Sequence, residues 1–230
     1  MLEIGVCTST EKVSKPSSLS QPIMGKGMHF NEKLRAPRII RLGSDCSGLD
    51  SAHFSLVGLG APFINKFTSD ILPEAQLVQE NTSKPEKIHP DMLARKVHEE
   101  TEVDVYVWTP PCQDLSAAGK GAGFEGQRQT GKLVARSLAF IKRRRPRLTI
   151  MEEVPRILAK KNRAKLLGIL KALKRVGYKL YWKKVNANNC NVPQDRIRFF
   201  GDPCSQSSAQ VPMASTMQTS VRHLCFGAVQ

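Results

Sequence analysis

The stretch Thr109-Pro110-Pro111-Cys112-Gln113-Asp114-Leu115-Ser116 follows directly on the apolar run at residues 103–108. A run holding Val103, Val105, Tyr106, Val107 and Trp108 reads as a buried strand. The two prolines behind it fix φ at successive positions and supply no N–H, so the loop follows a stiff path. Open α/β sheets bind their ligands in the crevice beyond the carboxyl ends of the strands. A cysteine held there is a candidate nucleophile, reactive as the thiolate. The alternative is a small buried hydrophobe. The partners supplied by the rest of the chain decide between them.

The flanking sequence alternates strands and helices. Residues 38–42 read as a short strand, followed by a turn of small residues at 43–50 and a helix with Ala52, Leu56 and Leu59 on one face. Residues 63–67 form a second strand that runs to Asp70, with a helix beyond it to residue 80 and a loop with a short strand at 84–89, before Asp91. A short helix is expected over 92–100. After the 103–108 strand come the glycine-rich stretch 119–126, a helix over 131–145 and a strand over 147–151 ending in Glu152-Glu153. The clearest amphipathic helix covers 162–176, with Leu166, Ile169, Leu170 and Leu173 at helical spacing, and strands at 178–185 and 197–200 close the series. This order predicts an α/β fold: a doubly wound, mostly parallel sheet with flanking helices. One domain is expected over 37–202. The segments 1–36 and 203–230 have no periodicity and read as disordered tails.

Charge narrows the class of partner. With 35 Lys+Arg against 20 Asp+Glu, the formal net charge is +15. Such an excess draws polyanions and favours nucleic acid. The six cysteines are scattered without a C-x-x-C pair, which argues against a zinc cluster, so no metal is expected. A reducing intracellular compartment without a disulfide framework is the simplest setting. No apolar stretch reaches the roughly 18 residues of a membrane span, and the N-terminus lacks a signal-peptide core.

Several polar residues fall where such a sheet keeps its chemistry. Asp70 ends the second strand, where dinucleotide-binding sheets place a carboxylate on ribose hydroxyls; a helix N-cap is the alternative. Asp45 and Asp50 beside the first turn disfavour a phosphate there and suit a ligand with a positive or neutral group. Glu152 is expected on the same rim as Cys112. By period two, Gln194, Arg196 and Arg198 lie on one side of an extended segment, with Ile197 and Phe199 facing the core. A thiol, a carboxylate and guanidinium donors can together attack an electron-poor ring, hydrogen-bond its ring nitrogen and polarise its carbonyl.

With those residues in place, the chain resembles the catalytic domain of the DNA cytosine-5 methyltransferases. Pro110-Pro111-Cys112-Gln113 resembles their nucleophile motif, Glu152-Glu153-Val154 their Glu-Asn-Val motif, and Gln194-x-Arg196-x-Arg198 their Gln-x-Arg-x-Arg motif. Cys46-Ser47-Gly48-Leu49-Asp50-Ser51 occupies the position of their Phe-x-Gly-x-Gly-Gly loop. The likeness runs in family order over residues 37–201.

The resemblance implies a Rossmann-like methyltransferase sheet and transfer of a methyl group from S-adenosylmethionine to C5 of cytosine in DNA, with transfer RNA the nearest alternative substrate. It makes Cys112 the nucleophile at C6 of a flipped-out base, Glu152 the residue on the N3/N4 edge, and Arg196, Arg198 and Gln194 the residues of the O2 side and loop. Donor contacts are implied for Cys46, Ser47, Gly48, Leu49, Asp70, Ile71, Asp91, Pro111 and Leu133, and nucleic-acid contacts for Gln113, Ser116, Lys120 and Arg128.

Further expectations accompany the likeness. The neighbouring arginines are expected to lower the Cys112 pKa. Glu153 replaces the family's asparagine, and its charge is expected to raise the pKa of Glu152. Asp50 and Ser51 replace two glycines. Nothing after Phe200 resembles a target-recognition domain, so recognition is expected from a separate subunit or from sequence-independent contacts at Arg128 and residues 143–147. The run 142–147 is alternatively a nuclear-import patch, which implies a nuclear location in a eukaryote. A catalytically inactive homologue that binds nucleic acid or a partner is the reading from a different class.

Overall fold

The computed structural model describes residues 38–112 and 129–205. Five strands run parallel: β1 (Ile40–Asp45), β2 (Phe63–Ser69), β3 (Ile88–His89), β4 (Val105–Trp108) and β5 (Leu148–Glu153). The sheet order is β3-β2-β1-β4-β5-β8-β7, where β7 is Trp182–Asn186 and β8 is Ile197–Gly201. β8 runs antiparallel to both β5 and β7. Two short strands, β6 (Tyr178–Lys179) and β9 (Cys204–Ser205), pair with each other, and β9 continues the pairing with β5 at Leu148. The expected doubly wound, mostly parallel sheet is present.

Period two sorts the sheet's side chains onto two faces. Tyr106 and Trp108 of β4 enter a large cluster with Phe67, Met151 and the inner faces of α3 (Thr130–Arg144) and α4 (Arg163–Arg175). Val105 and Val107 turn the other way, toward Leu42 and the Ala52, Leu56 and Leu59 face of the first helix, α1 (Ser51–Gly58). The remaining helix, α2, spans Pro73–Asn81. Gly43 is required where β1 crosses the Phe67 ring: a Cβ there would lie 2.4 Å from Phe67 Cε1.

Several expected elements differ. Residues 92–100 do not form an α-helix; only the 3-10 turn Val97–Glu99 is regular. The reason is where its polar side chains go. Arg95 and Asp45 form a fully buried bidentate pair at 2.7 and 2.8 Å, and Tyr106 Oη donates to the same carboxylate at 2.6 Å. The Arg95 guanidinium also lies 4.7 Å from the Phe67 ring centroid. Glu100 is buried against Arg136, at 2.7 Å, and Arg143. Leu93 and Val97 point to solvent, so no apolar helical face is buried. The strand expected over 178–185 is broken between β6 and β7, and the 197–200 strand is followed by β9. Residues 1–37, 113–128 and 206–230 lie outside the described ones.

Candidate active site at the strand ends

The chain leaves β1 toward β2 and β3 and returns to β4 on the other side of β1, which makes the β1/β4 ends the topological switch point. Register places Asp45, Trp108 and Met151 side by side at the carboxyl ends of β1, β4 and β5. Two loops therefore meet here. The β1 loop carries Cys46 to Ser51, and the β4 loop carries Thr109 to Cys112. Thr109 Oγ1 donates to Cys46 O at 2.7 Å and Thr109 N to Asp45 O at 3.2 Å, so the loops are tied together. Thr130 Oγ1 at the start of α3 donates to Pro111 O at 3.0 Å.

The β1 loop is held from beneath by polar groups. Ser47 exchanges hydrogen bonds with Ser69, and Gly48 N donates to Asp70 Oδ2 at 2.8 Å. Gln79 Nε2 donates to Gly48 O at 2.6 Å, while Thr68 donates to Gln79 Oε1. Asp70 Oδ1 also accepts from Leu72 N at 3.0 Å, the N-cap of α2, so its carboxylate orders the β1 loop and the start of α2. Asp91 Oδ1 accepts from Leu93 N. Burial first, and then Asp45, Asp70, Glu153 and Asp91, push the Cys46 thiol far up. Of these, Asp70 and Asp91 leave negative charge beside the loop, which suits a cationic ligand. Beside it, the side chains of Ile71 and Leu49 stand exposed.

Asp45 and Asp50 do not contribute to that rim in the expected way. Asp45 is committed to Arg95. Asp50 takes φ +59° where the family loop has glycine, and its side chain turns inward, accepting from Asn65 Nδ2 at 2.7 Å and Ser44 Oγ at 3.4 Å. Both carboxylates point away from the crevice and are buried.

On the β5 side, Arg198 Nε and Glu152 Oε1 form a half-buried ion pair at 2.7 Å. Cys112 lies within the field of Glu153, Glu152 and Arg198. The expected lowering of the Cys112 pKa is not found: burial raises it, Glu153 and Glu152 add to this, and Arg198 offsets only part. Arg198 is already neutralised by Glu152. Burial also raises Glu152, against the pull of Arg198 and Arg196. The like-charge effect expected at Glu152 appears at Glu153 instead. Burial, and then Glu152, push Glu153 up to about 8. Its Oε2 accepts from Val154 N at 3.1 Å, and its buried Oε1 has no partner.

The 194–198 segment is only partly extended. Gln194 is exposed in a turn closed by Gln194 N to Val192 O, and Arg196 lies before β8 with its backbone N on Asn186 Oδ1. Arg196 Nε is buried and unpaired, and its charge acts on Glu152. Phe199 faces the core as expected, but Ile197 is exposed, because β8 begins at it and the chain before it departs from period two.

Comparison with known proteins decides the family. The sequence profile of the C-5 cytosine-specific DNA methylases matches residues 40–218. The chain belongs to that family. Type II methyltransferase M.NgoPII of Neisseria gonorrhoeae is 31% identical over 166 residues, covering 71% of this chain and 46% of its own. Type II methyltransferase M.NlaIV of Neisseria lactamica is 27% identical, covering 69% of this chain and 38% of its own. The chain thus spans less than half the length of these curated relatives. The Dnmt2 methyltransferase of S. pombe shares the fold at TM-score 0.57 and 18% identity, over 73% of this chain and 50% of its own. A putative prophage-encoded DNA modification methyltransferase of E. coli does so at TM-score 0.60 and 18% identity, over 73% and 47%.

Set against the methylase motifs, the structure brings Cys112, Glu152, Arg196 and Arg198 to one rim, and Cys46, Ser47, Gly48 and Asp70 to the adjoining loop. Pro111 is half-buried, and Leu133 is buried on the first turns of α3. Among the described residues, no hydrogen bond joins Gln194 to Cys112, Glu152 or Arg198. Gln113, Ser116, Lys120 and Arg128 lie outside the described residues. The basic stretch 143–147 is at the far end of α3 from Thr130, with Arg143 and Arg144 tied to Glu100 and Arg145 capping Val176 O. Sequence reasoning missed Thr109, Thr130 and Gln79 as positioning residues. A threonine directly after the strand was the visible signal for the first. Gln79 gave none, since a glutamine in a helix is ordinarily exposed.

The methylase family is S-adenosylmethionine-dependent, and the residues fit that donor. Asp70 and Asp91 near Cys46 suit a sulfonium, exposed Ile71 offers apolar surface for an adenine, and Gly48 at φ +53° leaves its neighbourhood open. Among the described residues no group of acids, histidines and cysteines is arranged to hold a metal, and no helix is long and apolar enough to cross a membrane.

Proposed function

We propose that this chain methylates C5 of cytosine in DNA, with the Cys112 thiolate adding to C6 of a base turned out of the helix. The observation that carries the reading is the convergence of Cys112, Glu152 and Arg198 beside the β1/β4 crevice. As the Sγ–C6 bond forms, the ring's electron pair moves toward C5 and N3 takes a proton. Glu152 suits that task, because burial favours its protonated form. After giving the proton, its carboxylate is balanced by Arg198 at 2.7 Å. The 46–49 loop, Asp70, Ile71, Asp91, Pro111 and Leu133 would hold S-adenosylmethionine, which would supply the methyl group as an electrophile. Loss of the C5 proton to water then expels Sγ as the thiolate, and N3 returns its proton to Glu152, which restores both the aromatic ring and the acid.

Purified chain, labelled S-adenosylmethionine and either duplex DNA or transfer RNA test this reading, with Cys112→Ala beside wild type. Label on the duplex, lost in the variant, is expected. Label on transfer RNA alone transfers the reading to that substrate. No binding of the donor contradicts it.

A further inference from the structure

The positive charge of this chain is concentrated. Between Val154 and Gln194 lie eleven Lys and Arg and no Asp or Glu, against a net charge of +15 for the whole. α4 lies within this stretch and has no acid in its first turn, where acids would complement the macrodipole. Helix stability does not account for Arg163 and Lys165 at that end.

The fold separates these cations into two groups. α4 leaves the carboxyl end of β5 and returns the chain to β6, so its start is at the rim and its end is about 18 Å away along the axis. Lys171, Lys174 and Arg175 belong to the far end. Arg156, Lys160, Lys161 and Arg163 stand exposed on the consecutive turns that follow Glu153 directly. Those turns are fixed. Ile157 and Asn162 are buried beneath them, and Asn162 Nδ2 donates to Arg156 O at 2.9 Å. Ile157 N to Val154 O, Ala159 N to Arg156 O and Asn162 N to Ala159 O close the turns at 3.0, 3.0 and 2.8 Å. Anchors point inward and cations outward. Among the described residues, none of Arg156, Lys160 and Arg163 is paired with a carboxylate.

We propose that this ledge binds the phosphodiester backbone of nucleic acid beside the catalytic rim. A rigid row formed by Arg156, Lys160 and Arg163 next to Glu152 and Arg198 fits a polyanion of regular charge spacing, and phosphate contacts set register without reading sequence. The choice of reacting base rests on the function proposed above; the backbone contact itself does not.

The test compares two triple variants of equal charge change: R156Q/K160Q/R163Q on the ledge and K171Q/K174Q/R175Q at the far end. Each binds a fluorescent DNA duplex and, separately, a transfer RNA transcript across a salt series. A phosphate contact contributes about 0.9 to the slope of log K against log salt on duplex DNA. The ledge triple is expected to flatten the slope by about 2–3, and the far-end triple to leave it unchanged. Should the ledge triple fail to fold, K160Q alone flattens the slope by about 0.9. The duplex and transcript arms show which nucleic acid is held. Equal slopes for the two triples overturn the proposal, as does a ledge triple that loses only binding to phosphatidylserine vesicles. Methyl transfer absent with the slopes still split sinks the catalytic reading alone; methyl transfer present with equal slopes sinks the ledge alone.

Discussion

Arg198 reaches Glu152 diagonally across the antiparallel β5–β8 pair, Nε to Oε1 at 2.7 Å, because Glu152 lies opposite Phe200 and Arg198 is two residues along on the same face. That pairing places a neutralised carboxylate and a spent guanidinium beside Cys112. The thiol therefore rests in its protonated form.

Removing the arginine makes this worse. In Arg198→Met the Cys112 thiol loses the strongest attractive charge acting on it, and its alkylation midpoint shifts to higher pH. Glu152 loses a charged hydrogen bond of about 1.5–3 kcal/mol, so methyl transfer falls by roughly 10–100-fold, with partial recovery in Arg198→Lys. An unchanged alkylation profile contradicts the assignment.

Glu153 gives a pH dependence of stability with a definite sign. Its carboxyl is pushed up to about 8 in the folded chain from an ordinary 4.5, first by burial. The folded state then binds more protons than the unfolded one between those values, so stability falls as pH rises through that window. Urea melts at pH 6 and 9 are expected to differ by about 2–3 kcal/mol from this group alone. Glu153→Gln abolishes that difference and lowers the Cys112 alkylation midpoint. A variant with the wild-type pH slope rules the group out.

The buried Arg95–Asp45 pair holds the 91–100 segment in place. Arg95→Leu leaves an uncompensated buried carboxylate and is expected to cost about 3–5 kcal/mol in urea denaturation. Adding Asp45→Asn restores part of the loss. If the double variant is no better than the single one, the cost lies in packing against Phe67 and Phe140 rather than in charge.

Asp50 combines a left-handed backbone with a buried hydrogen bond. Asp50→Gly relieves the backbone but strands Asn65, at a net cost of about 1 kcal/mol. Asp50→Ala keeps the strain, loses the bond and is expected to be less stable than Asp50→Gly. The opposite order in thermal melts indicates that the left-handed backbone costs nothing, and an Asp50→Gly variant more stable than wild type indicates that the inward bond contributes nothing.

Much of this was legible in the chain. Alternating apolar runs and the acids after them located the parallel strands, and three ordered motifs located Cys112, Glu152 and Arg198. What was not legible depended on partners distant in sequence. Residues 92–100 read as a short helix because nothing local shows that Asp45, 50 residues earlier than Arg95, and Arg143 claim Arg95 and Glu100. Asp50 read as a rim charge because its inward turn rests on Asn65, 15 residues on. The thiol was expected to be activated because sequence shows two arginines but not that one is already paired.

The central claim is that Cys112 Sγ bonds to C6 of cytosine. A duplex carrying 5-fluorocytosine tests it, because fluorine at C5 cannot leave as a proton and the adduct persists after methyl transfer. With S-adenosylmethionine present, the account predicts a denaturation-resistant species of chain plus DNA strand, with mass spectrometry placing the link on the peptide bearing Cys112 and none formed by Cys112→Ala. Adduct formation by Cys112→Ala, or methylation of ordinary duplex with no trapped species on the fluorinated one, contradicts it.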